Sequence, residues 1–208
     1  PPENKISAAA GIDVLPLPEQ VTIPISQHLG APAEPAVAKG DTVKAGQIIA
    51  TSKGFVSANI HSSVSGKVFK VDKAIDASGY KKMSVIINVE GDEWLGTIDT
   101  GSEHKKDITL NSEEIIKKCA ENGIVGMGGA TFPSHVKLSI PPGKHCDVLI
   151  INGVECEPYL TSDHRLMLER TGELVTGISI LMKALKVERA MIGIEKNKTD
   201  AIEKLREF

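Results

Sequence analysis

Residues 123–137 read G-I-V-G-M-G-G-A-T-F-P-S-H-V-K, and the rest of the chain is interpreted around this stretch. Its four glycines are Gly123, Gly126, Gly128 and Gly129. Glycines at this density let backbone N–H groups turn toward one point without interference from Cβ atoms. A helix pattern precedes the stretch and another can begin at Ser134, whose N-terminus would add a positive dipole end. The stretch predicts a cradle for a phosphate or for the polar edge of a flat ring.

A glycine-rich loop between two helices can also be only a turn. The stretch fits neither of the two well-known phosphate-binding patterns. No strand leads into it, as the dinucleotide fingerprint requires, and its lysine lies too far downstream for a Walker A loop. The loop alone leaves a cofactor site and a plain turn as open alternatives.

The composition is that of an ordinary globular protein. The 208 residues are 41% hydrophobic and 25% charged, enough for one large or two small domains. A net charge of −3 and only 3% aromatic residues argue against a nucleic-acid partner. The three cysteines lack C-x-x-C spacing, so we expect neither a disulfide framework nor an iron–sulfur motif within these 208 residues. Both ends of the chain look cut, which predicts a piece of a longer protein.

Residues 1–20 read as an irregular lead-in and residues 21–92 as a small all-β domain. Short strands rich in valine and isoleucine are separated by Gly, Asp and Ser. The run V-A-K-G-D-T-V-K-A-G-Q-I-I-A, followed by I-H-S-S-V-S-G-K-V, resembles the biotinyl/lipoyl-carrier fold, a barrel sandwich. Phe55 stands where a carrier lysine would be, and Lys53 is out of register. We therefore predict this fold without an attached swinging arm.

Residues 93–110 read as a linker and residues 111–208 as a Rossmann-like α/β domain. The apolar runs D-V-L-I-I-N and R-A-M-I-G-I-E predict buried, parallel strands with helices between them. The predicted fold class is therefore α/β plus all-β, with a barrel-sandwich domain followed by the α/β domain.

The first of these strands ends in N-G-V-E-C-E-P-Y, residues 152–159. Ligands of open α/β sheets bind outside the carboxyl ends of the strands, where this motif falls. The Asn152 amide suits the edge of a heterocycle. The carboxylates of Glu155 and Glu157 repel a simple phosphate and fit the hydroxyl or amide parts of a nucleotide.

Plainer interpretations of this motif stay open. A metal site could be built from carboxylates and a histidine, but the spacing matches no metal pattern: Glu155, Glu157, Asp163 and His164. Alternatively, the glutamates are solvated and the following helix is capped by Ser162 and Asp163. His135 could act as an acid–base group, although a histidine in a first helical turn is more often structural.

Together, G-M-G-G-A-T-F-P with Lys137 and N-G-V-E-C-E-P-Y resemble the flavin-binding core of the complex I flavoprotein subunit family. The chain is still more similar to the C-subunit family of the Rnf ion-translocating electron transport complex. That family begins with segments like P-P-E-N-K and L-P-L-P, followed by a barrel sandwich and this flavin-type core. The likeness covers essentially the whole chain, and the two motifs occur in the right order.

The resemblance implies how FMN is held. Small loop residues would line the FMN phosphate and ribityl chain, namely Gly126, Gly128, Gly129 and Ala130. Lys137 and Asn152 would reach the flavin ring or the ribityl oxygens. Glu155 would contact the flavin or support a residue that does, and Glu195 would be a further flavin contact.

The resemblance also implies an NAD(H) site. Phe132 would help to hold NADH, and Glu157 would contact its nicotinamide end. Two positions depart from complex I: Met127 replaces a loop arginine, and Val154 replaces an aspartate that contacts the flavin. No catalytic side chain is expected, because the cofactors carry the chemistry.

The implied function is that of an electron-entry subunit, an NADH/ferredoxin-type oxidoreductase. It would pass electrons between NAD(H) and iron–sulfur centres or ferredoxin through FMN, within a membrane complex that pumps ions. Other Rnf membrane subunits would be its partners, at the cytoplasmic face of the bacterial inner membrane, where it would be peripheral. The [4Fe–4S] clusters and part of the flavin pocket would lie beyond residue 208, so we expect this stretch alone to be inactive.

Two other functions remain alternatives. One is a soluble corrinoid-type flavin reductase, which shares both motifs and differs in its partner. The other is a non-catalytic docking module, in which the β domain binds a partner and the glycine loop is vestigial.

Overall fold

The computed structural model describes residues 4–101 and 107–208. Within this part, the chain divides into two compact units. The β-rich unit contains residues 16–101 and 114–139; the α/β unit contains residues 4–15, 107–113 and 140–208. This grouping places the glycine-rich stretch in the β-rich unit, and the boundaries of the two domains stay a prediction.

Seven strands build the β-rich unit, and all of their pairings are antiparallel. In chain order they are β1 (Gln20–Pro24), β2 (Glu34–Pro35), β3 (Thr42–Val43), β4 (Ile48–Thr51), β5 (Ile60–His61), β6 (Ser65–Ile75) and β7 (Lys81–Gly91). One sheet has the order β1-β7-β6-β3 and the other the order β2-β4-β5. Helix α1 (Ser112–Glu121) precedes the glycine-rich stretch, and helix α2 (Ser134–Leu138) begins within it.

Both sheets contribute side chains to one apolar core. Val43 from β3, Ile49 from β4 and Ile87 from β7 are at most 1% exposed, and all belong to one buried cluster. These β-branched residues suit a pleated, half-buried surface. The two-sheet arrangement around one core confirms the predicted small barrel-sandwich domain.

The α/β unit is built on two parallel strands. Its elements are β8 (Leu149–Asn152), α3 (Ser162–Glu169), α4 (Thr171–Leu185), β9 (Ala190–Gly193) and α5 (Thr199–Arg206). Strands β8 and β9 pair in parallel, which requires a long crossover connection, here supplied by α3 and α4. The predicted parallel strands are confirmed, while a larger Rossmann-like sheet stays a prediction.

The predicted burial of these strands is wrong for one face of the sheet. Ile150 and Met191 lie opposite each other in the β8–β9 register and are 69% and 55% exposed. Their neighbours along each strand are half-buried, because successive residues of a strand point to opposite faces. An apolar run thus predicts two covered faces, whereas the described residues cover one.

None of the helices in the two described ranges is long and apolar enough to cross a membrane.

The core of the β-rich unit can be tested with Ile87→Ala. The side chain is fully buried, so we expect a loss of about 2–5 kcal/mol in the free energy of unfolding. The matched change Ile75→Ala removes a side chain that is 67% exposed and should cost under about 0.5 kcal/mol. Trp94, the chain's single tryptophan, lies in this unit and reports its unfolding by fluorescence in urea. Equal losses for the two variants would contradict the described core.

Candidate functional site

The glycine-rich stretch begins where α1 ends against the β sandwich. Gly123 has a φ of +60°, and Ile124 N–H donates to the Cys119 carbonyl at 2.9 Å, as in a glycine-terminated helix. A Cβ at Gly123 would clash with the Asn59 carbonyl oxygen. The Asn59 side chain in turn donates to the Glu121 carbonyl at 2.9 Å. The predicted C-terminal glycine is confirmed, and its positive φ together with its packing against Asn59 explains it.

After Gly123 the chain folds into a short hairpin. Ser134 N–H donates to the Ile124 carbonyl and Gly126 N–H to the Phe132 carbonyl, each at 2.9 Å. These two bonds close the base of the hairpin and leave Met127 at its tip, 93% exposed.

The tip presents open backbone. A Cβ at Gly128 or Gly129 would meet no heavy atom within 4 Å. Gly129 has a φ of +62°, which by itself favours glycine, whereas Gly128 lies outside that region. Ala130 is also exposed. The tip therefore allows a ligand to approach the main chain closely, as a phosphate or ribityl chain requires.

The sandwich holds the tip in place from one side. Leu29 N–H donates to the Ala130 carbonyl at 3.2 Å, and the Thr131 hydroxyl donates to the Gln27 carbonyl at 2.7 Å. Thr131 keeps a φ of +49°, an unusual conformation for a residue with a Cβ. The hairpin is thus a held structure rather than a free turn.

Lys137 supplies the positive charge of this hairpin. Its side chain is exposed, and its Nζ would lie 3.0 Å from a Cβ at Gly126. Residues 123–137 include no acidic residue, so an anion meets no repulsion from within the stretch. The predicted helix-dipole contribution is not supported, because α2 is only five residues long and the dipole grows from aligned peptide units.

His135 fastens the hairpin to the β sandwich. Its ring Nε2 donates to the Phe55 carbonyl at 2.8 Å, and the two rings meet edge to face. Its Nδ1 is buried without a hydrogen-bond partner in the described part of the chain. The side chain is 8% exposed and its Nε2 is engaged with the backbone, so the structure favours the structural interpretation of His135 over an acid–base role.

In the α/β unit, Asn152 ends β8 with an exposed side chain. Its Oδ1 accepts the Val154 N–H at 3.1 Å, a local turn that begins the strand-end loop. Gly153 N–H donates to the Gly193 carbonyl at 2.8 Å, which ties this turn to the end of β9. Glu157 follows in the loop and is exposed.

Glu155 is buried, at 6% exposure, and caps helix α3. Its carboxylate accepts the Asp163 N–H at 2.8 Å and the Ser162 hydroxyl at 3.1 Å. It also accepts the His164 N–H at 3.4 Å. The interpretation of Glu155 as a solvated residue, with α3 capped from within, is wrong. The geometry favours a supporting role over direct contact with a ligand.

Lys198 lies beneath this loop and is 5% exposed. Its ammonium is 3.7 Å from a Glu155 carboxylate oxygen and forms a closer ion pair with Glu195. Glu195 also accepts the Glu155 N–H at 3.2 Å. Two of the predicted residues therefore share one buried charge network. Sequence reasoning missed Lys198, whose only signal is a position three residues after Glu195.

The predicted cofactor residues are distributed over both units. The β-rich unit holds Gly126, Gly128, Gly129, Ala130, Phe132 and Lys137, and the α/β unit holds Asn152, Glu155, Glu157 and Glu195. Phe132 is half-buried at the base of the hairpin. Across the described ranges, no group of three or more His, Cys, Asp or Glu side chains is arranged to hold a metal ion.

Comparison with known families assigns both parts of the chain. Residues 1–92 match the RnfC barrel sandwich hybrid domain, and residues 119–208 match the Nuo51 FMN-binding domain. The first match covers the β-rich motifs and the second covers both flavin-type motifs.

Curated relatives extend over nearly the whole chain, and each is the C subunit of a redox complex. The one from the proton-translocating ferredoxin:NAD(+) oxidoreductase complex of Clostridium ljungdahlii is 49% identical over 98% of this chain and 44% of the relative. The one from the Na(+)-translocating ferredoxin:NAD(+) oxidoreductase complex of Acetobacterium woodii is 51% identical over 90% of this chain and 42% of the relative. The one from the ion-translocating oxidoreductase complex of Rhodobacter capsulatus is 42% identical over 98% of this chain and 39% of the relative. The chain spans less than half the length of these relatives.

The packing of Gly123 can be measured against Gly129, because the two glycines share nearly the same φ. Gly129→Ala should cost about 1 kcal/mol, the penalty of a Cβ at positive φ. Gly123→Ala should cost at least about 2 kcal/mol more, because its Cβ also displaces the Asn59 backbone. Urea unfolding followed by Trp94 fluorescence gives both values. Equal losses would mean that Asn59 does not restrain the loop.

The charge network at Glu155 predicts a pH dependence. Burial alone would raise the pKa of Glu155, but the hydrogen bonds from α3 and the attraction to Lys198 outweigh it and lower the pKa. Stabilisation by this carboxylate is therefore fully present above the ordinary value of 4.5. It is lost as the pH falls through the lowered folded-state pKa.

Glu155→Gln should therefore lower the free energy of unfolding at neutral pH by about 1–3 kcal/mol. The variant should also lose less of its remaining stability than the wild type on acidification below pH 4.5. Helix circular dichroism during urea unfolding, repeated across pH, makes the measurement. Glu203→Gln on the exposed side of α5 is the control. Parallel pH curves for Glu155→Gln and the wild type would contradict the assignment.

Proposed function

Because this chain belongs to the RnfC family, we propose that it binds FMN in an electron-entry subunit of an ion-translocating complex. The subunit passes electrons between NAD(H) and iron–sulfur centres, and through them ferredoxin. The observation that carries the proposal is the open backbone of Gly128 in a hairpin that also carries the Lys137 ammonium, within residues that match an FMN-binding domain.

The hairpin fits the phosphate end of FMN. Main chain at Gly128, Gly129 and Ala130 is accessible, and Lys137 supplies a cation without a competing carboxylate in the stretch. Backbone N–H groups and a lysine are the usual partners of a phosphate. These residues would bind the phosphate and ribityl chain, and the hydrogen bonds to the sandwich keep them in position before the ligand arrives.

The strand-end motif would serve the same flavin, on the strength of the family resemblance. Asn152 offers an amide to the polar edge of the ring or to the ribityl oxygens. Glu195 would contact the flavin from the end of β9. Glu155, engaged with α3, would keep that neighbourhood in shape.

NADH would be held by Phe132 and Glu157. A half-buried aromatic ring suits a flat heterocycle, and an exposed carboxylate can accept a hydrogen bond from the nicotinamide carboxamide. Bound FMN supplies the exchange of a hydride with nicotinamide and of single electrons with iron–sulfur centres. The protein's own residues bind and orient the two cofactors, and none acts as a nucleophile or base.

The partners follow from the names of the relatives. Two of them belong to ferredoxin:NAD(+) oxidoreductase complexes, which supports other Rnf subunits and ferredoxin as partners of this protein. The protein would lie peripherally at the cytoplasmic face of the bacterial inner membrane. Its [4Fe–4S] clusters would be held by cysteines outside residues 1–208, whose three cysteines are dispersed.

The proposal is tested with Gly128→Ala in the full-length protein. The added methyl meets open space in the protein and no unfavourable φ, so folding should be unaffected. It occupies the position that the FMN phosphate needs, so the Kd for FMN should rise about tenfold, or about 1.4 kcal/mol. Fluorescence titration of FMN gives the affinity, and the thermal midpoint reports folding.

Gly96→Ala is the matched control, because its Cβ also meets no atom within 4 Å at an ordinary φ. It should change neither FMN affinity nor stability. An unchanged FMN affinity in Gly128→Ala would remove the hairpin from the site. A full-length wild type that binds no FMN would leave the docking-module alternative.

A further inference from the structure

Lys5 lies inside a cage of three backbone carbonyls. Its Nζ donates to the carbonyl oxygens of Glu155, Glu157 and Leu160, each at 2.7 Å. An ammonium group has three N–H donors, and each has a partner here. The three acceptors all belong to the strand-end loop, at least 150 residues away in the sequence.

The residues around Lys5 continue this attachment along the loop and α3. The Ser7 and Thr161 hydroxyls lie 2.8 Å apart within hydrogen-bond reach. Arg165 donates to the Ala8 carbonyl at 3.1 Å. Residues 4–12 therefore form a strap, the N-terminal strap, that runs beside the loop and the helix that follows it.

The conformation of the loop depends on a cation at this point. Three carbonyl oxygens that converge on one position repel one another unless a donor lies between them, and removing that donor loses three hydrogen bonds to a charged group. Tyr159, between two of the caged carbonyls, has a φ of +70°, which a residue with a Cβ adopts only when its surroundings impose it. The Lys5 ammonium supplies both the donors and the charge that hold this backbone.

We propose that Lys5 is a positioning residue for the NAD(H) site, which it shapes by fixing the backbone of residues 155–160. Its contact with the Glu157 carbonyl turns that carbonyl toward the cage and sets where the exposed Glu157 side chain stands. The inference rests on the proposed function, in which Glu157 contacts the nicotinamide end of NADH. Lys5 itself touches neither cofactor and acts only through the loop.

The test compares three variants of the full-length protein. Lys5→Met removes the charge and all three donors while keeping a side chain of similar length. Lys5→Arg keeps the charge, but a planar guanidinium cannot place its donors as an ammonium does. Lys204→Met is the control, because Lys204 pairs with Glu207 at 2.7 Å on the surface of the same unit.

Two measurements are made on each variant. Amide hydrogen exchange over residues 155–161 reports the loop directly, with or without cofactors. Steady-state NADH oxidation with ferricyanide as electron acceptor gives KM for NADH and kcat separately. In Lys5→Met we expect about tenfold faster exchange and a KM for NADH raised about tenfold with kcat within about threefold. The exchange rate and the KM for NADH of Lys5→Arg should both lie between those of Lys5→Met and the wild type. Lys204→Met should match the wild type in both quantities.

Each contrary result has one meaning. Unchanged exchange in Lys5→Met would overturn the cage as a restraint on the loop. Faster exchange with an unchanged KM would overturn the positioning role and leave a purely structural lysine. If Lys5→Met does not fold, Lys5→Arg decides, since a KM equal to that of the wild type would overturn the proposal. A full-length wild type that binds no FMN and oxidises no NADH would refute the proposed function instead. The hydrogen-exchange data would still show whether Lys5 restrains the loop.

Discussion

The contact between Gly123 and the Asn59 carbonyl is the constraint on which the glycine hairpin depends. Helix α1 can end against the sandwich only because residue 123 carries no Cβ, and Asn59 fastens that end by donating to Glu121. The hairpin then leaves in a fixed direction and is held again by Phe55, through His135. Phe55 lies in the connection between β4 and β5, so this part of the sandwich serves as a scaffold for the hairpin.

The strand-end loop is held by charge rather than by close packing. Lys198 is buried among carboxylates, and an unpaired buried charge would be strongly destabilising. Glu195 pairs with that lysine most closely, while Glu155 lies 3.7 Å from it and also caps the first turn of α3, so Glu155 links the loop, α3 and the start of α5. Lys5 is a second cation that holds this loop, and its partners are backbone carbonyls rather than carboxylates. The loop is therefore specified by partners that are distant in sequence.

Local signals predicted much of this structure. The C-terminal glycine of α1, the short strands of the sandwich and the parallel pair β8–β9 all follow from periodicity and backbone preference. Contacts between residues that are distant in the sequence could not be predicted from these local signals. Lysines are usually exposed, so nothing in the sequence marks Lys5 or Lys198 as enclosed. An apolar run such as the one around Ile150 signals burial, but it does not tell whether one face or two are covered.

The four glycines of the motif have different explanations, and the difference bears on function. Gly123 is restricted by the protein itself, through the Asn59 backbone, whereas a Cβ at Gly126 would meet only the mobile end of the Lys137 side chain. Gly129 is explained in part by its positive φ, which folding alone could require. Gly128 has neither reason. Open space is not sufficient evidence of a site, since Gly96 has it too, but Gly128 also stands in an acid-free stretch that carries Lys137 and matches an FMN-binding domain. A glycine that the fold does not need, in a place suited to an anion, is best explained by a ligand that approaches its backbone.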